Sequence, residues 1–318
     1  MSSPAPQLQR RNVEVFDSGG AVIAGFWQYG TLQWDEFYKY LVPFIIASTD
    51  WSIFRYRPNR HQRGVLCPPG TGIVKPGYYI LLSTTGEPTR VGLKSIPLLV
   101  RPPGSNTPPT PSHEPHYGIR ARTRDGQCLV TGVTTQSICR LGVAHIFPRI
   151  YDTEWTHKGY PSKITDQADE ASMGGSLKID SVQNLITLRY DLRCAWDNYE
   201  FGIDPNNNYR ITAFLNGNAD CNGLHLKLDH IHDPTLRPLD ELFTEHLMQC
   251  LFKFVIGPVE REWSWDECEV ALDAFDLSDT GVWGTREGKE LLEVMLADRL
   301  FDHRLSQLIP DDTSRTIS

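Results

Sequence analysis

Residues 183–197 read Gln-Asn-Leu-Ile-Thr-Leu-Arg-Tyr-Asp-Leu-Arg-Cys-Ala-Trp-Asp, and this stretch decides the fold of the central part of the chain. The apolar run at 182–188 predicts a β-strand. Directly after it, apolar residues fall at helical spacing, namely Leu188, Leu192, Ala195, Trp196 and Tyr199. The pattern therefore predicts a strand that leads straight into a short helix at 189–198.

Two further apolar stretches precede this unit. The segment 127–132 predicts a short strand ending in a turn, and 141–148 predicts a second strand. We therefore expect two strands, a long excursion, then a strand and a helix within residues 117–236. Beyond Pro238 an apolar stripe predicts a helix that carries His246, and further helices are predicted at 264–275 and 288–308. Residues 237–318 thus form a predicted helical extension packed on the central part.

The first 101 residues have a different pattern. Alternating valines before and after the turn residues 17–20 predict a hairpin, 75–82 predicts a turn and a strand, and 34–46 predicts a helix. Six of the fifteen residues in 101–115 are proline, which is typical of a linker, here set at 102–116. We expect an α+β protein in which a small, mostly β domain, residues 1–101, precedes the linker.

Composition narrows the function classes. The 318 residues carry a net charge of −8, with 11 basic and 6 acidic residues in 1–101 but 8 basic and 18 acidic residues in 237–318. Nucleic-acid binding depends on basic surface, so a nucleic-acid partner is not expected. One cluster of four arginines is a candidate nucleic-acid-binding surface, namely Arg55, Arg57, Arg60 and Arg63. A solvated loop is the favoured interpretation of this cluster. No apolar run is long enough to cross a membrane, and seven cysteines without a Cys-x-x-Cys pair indicate an intracellular protein, cytoplasmic or nuclear.

Three motifs resemble the HNH nuclease family, most closely fungal proteins in which a small β domain comes first: Cys128-Leu-Val-Thr-Gly132, Ala144-His-Ile-Phe-Pro148 and residues 183–197. The likeness extends loosely to Gly25-Phe-Trp27 and to the helix with His246. It implies a ββα fold in which His145 is a general base and Asn184 orients the turn. In the family a second histidine, on the helix, binds a divalent metal, and together these groups hydrolyse phosphodiesters.

This chain departs from the family at the metal. Arg193 stands where the helical histidine is expected, and Ala144 takes the place of a residue that binds metal in some members. An arginine side chain has no lone pair to offer a cation. On a helix, Asp191 and Cys194 point away from position 193, so they could supply ligands only in a shifted register. We therefore expect no metal and no other cofactor.

Other interpretations of these residues stay open. One alternative makes His145 a buried histidine satisfied by a backbone carbonyl. In the same way, Asn184 is a tether for the turn, and Arg193 is a structural partner of Asp191 or Asp197. His225, His230 and His232 lie in an alternating stretch, in which a period of two puts His230 and His232 on one face of a predicted strand; a polar face is a commoner explanation there than a metal site. Residues 276–287 loosely fit a calcium loop, although a plain turn is favoured.

Three functions follow from these residues. A metal-free site could bind an apolar small molecule, with His145, Asn184, Arg193 and Asp197 as catalytic residues and four side chains around the substrate: Trp155, Trp196, Tyr199 and His246. The fungal resemblance implies a cofactor-free cyclase of Diels–Alderase type in terpenoid secondary metabolism. The second hypothesis is a metal-dependent endonuclease, and the third is a non-catalytic module whose acidic C-terminal helices bind a basic protein.

Overall fold

The computed structural model describes residues 11–99, 101, 116–134 and 141–257. Within these described residues, the N-terminal part contains seven strands, one α-helix and a 3-10 turn at Pro58–Arg60. The strands and the α-helix are β1 Val13–Phe16, β2 Val22–Phe26, α1 Trp34–Leu41, β3 Ile45–Ala47, β4 Trp51–Arg57, β5 Gln62–Cys67, β6 Gly77–Ser83 and β7 Val91–Leu93. Five strands form one sheet in the order β2-β1-β6-β4-β5, in which β1 and β6 are parallel, and β3 pairs with β7. The predicted hairpin is confirmed, because β1 and β2 pair antiparallel around residues 17–21.

The predicted helix at 34–46 is too long. Helix α1 ends at Leu41, and residues 45–47 form β3 instead. Val42 still has helical dihedrals and donates its N–H to the Tyr38 carbonyl, but Pro43 has no backbone N–H to continue this pattern, so the helix ends there. Phe37, Tyr40 and Leu41 of α1 are buried in the N-terminal hydrophobic core.

The second part holds the remaining elements: α2 His116–Asp125, β8 Leu141–His145, α3 Asp152–His157, α4 Tyr160–Lys163, β9 Leu185–Arg189, α5 Tyr190–Asp197, β10 Phe201–Asp204, β11 Arg210–Ala213 and α6 Asp240–Phe254. Strands β8 and β9 pair antiparallel, with Leu141 opposite Arg189 and His145 opposite Leu185. Helix α5 follows β9 without a loop and contacts both strands. This ββα arrangement confirms the strand–helix prediction, with the strand beginning at Leu185 rather than at 182.

Two predicted strands are absent from the described residues. Residues 128–132 form a turn in which the Gly132 N–H donates to the Cys128 carbonyl (2.8 Å). Gly126 and Gly132 lie in the left-handed region at φ +60° and +74°, and this geometry turns the chain where an extended strand was expected. Residues 225–232 make only a single bridge, between Arg210 and His225, so the strand predicted there is wrong.

Helix α6 is confirmed and joins two hydrophobic cores. Leu242 and Phe243 of α6 pack with the ββα frame. Leu251, near the end of the helix, and Val255, just beyond it, pack with the N-terminal sheet. The chain then leaves the described part at Ile256 and Gly257, where Ile256 bridges Ala24 of β2. The described residues 11–99, 116–134 and 141–257 belong to one compact unit.

Some predictions concern residues that the structure does not describe. The proline-rich linker, the helices at 264–275 and 288–308 and the loop at 276–287 lie outside the described residues, and the domain boundaries stay predictions. Within the described residues, no helix has the length and apolar character that a membrane span needs.

Candidate functional site

His145 is the last residue of β8, and its backbone is held on both sides. It lies opposite Leu185 in the sheet, and its carbonyl accepts a hydrogen bond from the Trp196 indole Nε1–H (3.2 Å). The imidazole Nε2 lies 2.9 Å from Asp180 Oδ1, so this side of the ring faces a carboxylate. The side chain is 14% exposed, which leaves part of the ring accessible.

Asn184 ties down the turn that follows His145. Its Oδ1 accepts the Phe147 N–H (2.8 Å), and its Nδ2 donates to the carbonyls of Phe147 (3.1 Å) and Ile179 (2.9 Å). The side chain is fully buried and uses both ends of the amide. Asn184 therefore holds the turn after His145 in place, and its role in the family chemistry stays a prediction.

Asp180 is the centre of a charged cluster that the sequence did not reveal. Arg149 Nε lies 3.2 Å from the same Asp180 Oδ1 that faces His145. Burial alone would raise the pKa of Asp180, but the contacts with His145 and Arg149 outweigh it, so this pKa is lowered. The carboxylate is therefore ionised at neutral pH and can orient the imidazole.

Tyr117 of α2 completes the cluster. Its ring meets the His145 imidazole edge to face, with 5.1 Å between ring centroids. Burial, and then the charge of Asp180, raise the pKa of Tyr117, while Arg149 and Arg193 act in the opposite direction. The phenol thus stays protonated and is a hydrogen-bond donor beside the histidine.

Arg193 lies on α5 and covers the sheet at Gly142. A Cβ at Gly142 would approach Arg193 Cδ to 2.6 Å, so the arginine stem occupies the space that a side chain would fill. Arg193 Nε lies 3.6 Å from Asp197 Oδ2, and the side chain is 23% exposed. Of the two partners considered from sequence, Asp197 is the one found, because Asp191 binds Arg189 through two contacts of 2.6 Å.

A divalent metal, which the family resemblance implies, does not fit these residues. Position 193 carries a guanidinium, and the nearby carboxylate of Asp180 already bonds His145 and Arg149. Cys194 gives no ready thiolate, since burial raises the pKa of its thiol. Across the described residues, no group of three or more His, Cys, Asp or Glu side chains is placed to hold a metal ion.

The four side chains expected around a substrate are buried instead. Trp155 packs against Phe147 and donates its Nε1–H to the Leu177 carbonyl (2.7 Å). Trp196 and His246 stack with 3.4 Å between ring centroids, and Tyr199 donates to the Leu99 carbonyl (2.5 Å). All four are at most 2% exposed, so they support the frame from the core and do not line an open cleft.

The histidines after β11 do not come together with this cluster. His225, His230 and His232 are exposed, as the polar-face interpretation predicted. His225 Nδ1 lies 2.7 Å from the Asn208 carbonyl, and His230 Nδ1 lies 3.4 Å from Gln127 Nε2.

Sequence reasoning missed Tyr117, Arg149 and Asp180. Arg149 directly follows the 144–148 motif and Asp180 precedes Asn184 by four residues, but nothing in the sequence shows that these charges face His145. Tyr117 gave no signal, because 28 positions separate it from His145 in the sequence.

Comparison with known families agrees with this geometry. The model of the HNH endonuclease family (HNH_2) matches residues 128–204, which span the turn, β8, β9 and α5. Residues 128–204 form an HNH endonuclease-like domain. This HNH-like domain relates the chain to nucleases, and it contains His145, Asp180, Asn184 and Arg193. Neither the curated proteins nor the solved structures include a match to the chain.

Proposed function

We propose that the HNH-like domain is a metal-independent site that acts on a small organic molecule carrying a carbonyl or anionic oxygen. The observation that carries the proposal is Arg193, seated over Gly142 at the position where the family resemblance calls for a metal-binding histidine. A guanidinium can donate hydrogen bonds to such an oxygen but cannot ligate a cation.

The neighbouring groups support acid–base and hydrogen-bond catalysis. If Nε2 of His145 carries the proton toward Asp180, the lone pair of the imidazole lies on Nδ1. The phenol of Tyr117 and the guanidinium of Arg149, which is 44% exposed, supply further donors. Donors of this kind withdraw electron density from a substrate carbonyl, which accelerates cyclisation without a cofactor.

A cyclase of Diels–Alderase type in fungal terpenoid metabolism is the specific form of this proposal. Its support is the resemblance to fungal proteins, so it depends on analogy with a fold rather than on a bound substrate. Because the tryptophans lie in the core, substrate recognition in this proposal depends on the polar cluster. Neighbouring genes for terpene cyclases and oxidases would strengthen this form.

A metal-dependent endonuclease is the second candidate. The observation in its favour is the intact turn, in which Asn184 holds Phe147 and Asp180 faces His145. A non-catalytic module is the third, and it would use the acidic residues 237–318.

The test compares the wild type with Arg193→His and with Arg189→His as the matched control. Arg189 is a half-buried arginine four positions away that pairs with Asp191, so its replacement adds a histidine outside the cluster. We expect no plasmid nicking and no saturable Mn²⁺ or Zn²⁺ binding by the wild type or by Arg189→His. We expect Arg193→His to gain metal binding, measured by calorimetry.

Saturable metal binding by the wild type, abolished in His145→Ala, would overturn the proposal and favour the nuclease.

Small-molecule chemistry needs its own measurement. Extracts of the source organism with and without the gene are compared by mass spectrometry, and an unchanged metabolite profile would leave the interaction module as the better explanation.

A further inference from the structure

The hairpin formed by β4 and β5 has an unusual charge for this protein. Residues 51–86 contain four arginines and one lysine but no aspartate or glutamate, although the whole chain has a net charge of −8. This is the arginine cluster for which a solvated loop was the favoured interpretation. Its surroundings in the fold point to a more specific role.

Strand β5 is an exposed edge. It is the last strand of the five-stranded sheet and pairs with β4 alone among the described strands. Every residue from 59 to 66 is exposed, and Val65 and Leu66 are 72% and 47% exposed. An edge strand with exposed aliphatic side chains offers both backbone groups and apolar surface to another chain.

The four arginines divide into two pairs. Arg55 and Arg63 serve the hairpin itself: Arg55 Cζ lies 4.6 Å from the centroid of the Tyr79 ring, and Arg63 donates to the Gly86 carbonyl (2.6 Å). Arg57 reaches only Gln62, at 3.5 Å, and within the described ranges Arg60 forms no ion pair. Two exposed guanidinium groups, on Arg57 and Arg60, are thus available to an anionic partner.

We infer that β5 docks an extended, acidic segment of a partner protein. The carboxylates of that segment pair with Arg57 and Arg60, and its apolar side chains, which lie on one face of the segment, cover Val65. Arginine suits this role because its planar guanidinium binds a carboxylate through two hydrogen bonds. This inference is independent of the function proposed for the HNH-like domain.

A peptide fits better than a nucleic acid. Nucleic-acid surfaces combine positive charge with exposed aromatic rings on which bases stack, whereas Phe54 and Tyr56 of this hairpin are buried. The most exposed apolar side chain is the aliphatic Val65. The register of β4 and β5 also shifts between Phe54 and Tyr56. Such bulges limit unselective pairing of other chains with a sheet edge. We therefore expect complementary charge to select the partner.

The experiment uses the full chain and a fluorescein-labelled peptide of alternating Glu and Val residues, followed by fluorescence anisotropy. A Lys–Val peptide and single-stranded oligothymidine serve as comparison probes. The double variant Arg57→Gln/Arg60→Gln removes the two available cations, and Val65→Asp removes the apolar contact. Arg90→Gln/Lys94→Gln is the matched control, because it removes two exposed cations near β7.

We expect the Glu–Val peptide to bind the wild type and the control double variant alike. Loss of two exposed ion pairs should weaken binding about tenfold in Arg57→Gln/Arg60→Gln, and Val65→Asp should also weaken it. Circular dichroism and the melting temperature check that each variant is folded. The inference is overturned if the peptide does not bind, if Arg57→Gln/Arg60→Gln binds it as the wild type does, or if oligothymidine binds more tightly through the same arginines.

Discussion

Replacing Asn184 with alanine tests the central structural claim about the turn after β8. The substitution removes one acceptor and two donors from a site that is fully buried. It leaves the Phe147 N–H and the carbonyls of Phe147 and Ile179 without those partners. Each unsatisfied buried polar group costs about 1–3 kcal/mol. Because the structure around the three groups can relax in part, we expect the free energy of unfolding to fall by about 3–5 kcal/mol in total.

The assay is urea unfolding followed by tryptophan fluorescence, together with the melting temperature. For a chain of this size, about 3 °C is lost per kcal/mol, so the melting temperature should fall by about 10 °C. Asn206→Ala is the matched control, because Asn206 is an exposed asparagine in a surface turn. We expect the control to change stability by less than about 0.5 kcal/mol.

The reasoning fails if Asn184→Ala unfolds within about 1 kcal/mol of the wild type. That result would mean that water or a shifted backbone satisfies the three groups. The turn would then hold its shape without the amide.

Three other predictions concern the surroundings of the histidine. Gly142→Ala should destabilise the wild type by about 1–3 kcal/mol, because the new Cβ meets the Arg193 stem. The same substitution should be nearly neutral in an Arg193→Ala background. Equal losses of stability in both backgrounds would contradict the close approach. Trp196→Phe should cost about 1–3 kcal/mol in urea unfolding, because it leaves a cavity and removes the bond to the His145 carbonyl; an unchanged midpoint would argue against a core position. Folding lowers the pKa of Asp180 below its ordinary value of 3.8, so the ionised carboxylate stabilises the fold above that pH. The wild type should therefore be more stable than Asp180→Asn at neutral pH, and this difference should disappear as the pH falls through the folded pKa of Asp180. A stability difference that does not depend on pH would count against the cluster.

Local pattern predicted much of the fold. The hairpin of β1 and β2, the β9–α5 unit and helix α6 depend on short-range periodicity and turn residues, which are visible in the sequence. The helix predicted at 34–46 was too long although Pro43 marked its end. The strand predicted at 127–132 failed because Cys128 and Gly132 close a turn there.

The candidate site was predicted only in part. His145 and Asn184 were found from their motifs, and their contacts agree with the positions expected for a turn histidine and its tether. The partner of the imidazole was not foreseen, since Asp180 lies 35 positions away and belongs to no motif. The tryptophans were assigned to a substrate cleft because aromatic residues next to a motif look the same in sequence whether they face a ligand or the core.

The amino-acid sequence by itself determined the order of strand, turn and helix, and it placed an arginine where the related nucleases need a metal ligand. The expectation of a metal ligand at position 193 is what the family resemblance implies, and the arginine itself is a property of the local sequence, so no distant contact was needed to find it. The tertiary structure alone decided that Tyr117, Arg149 and Asp180 surround His145, and that Trp155 and Trp196 are buried. Those facts depend on packing between segments far apart in the chain, where burial and electrostatics are set by neighbours that local sequence does not specify.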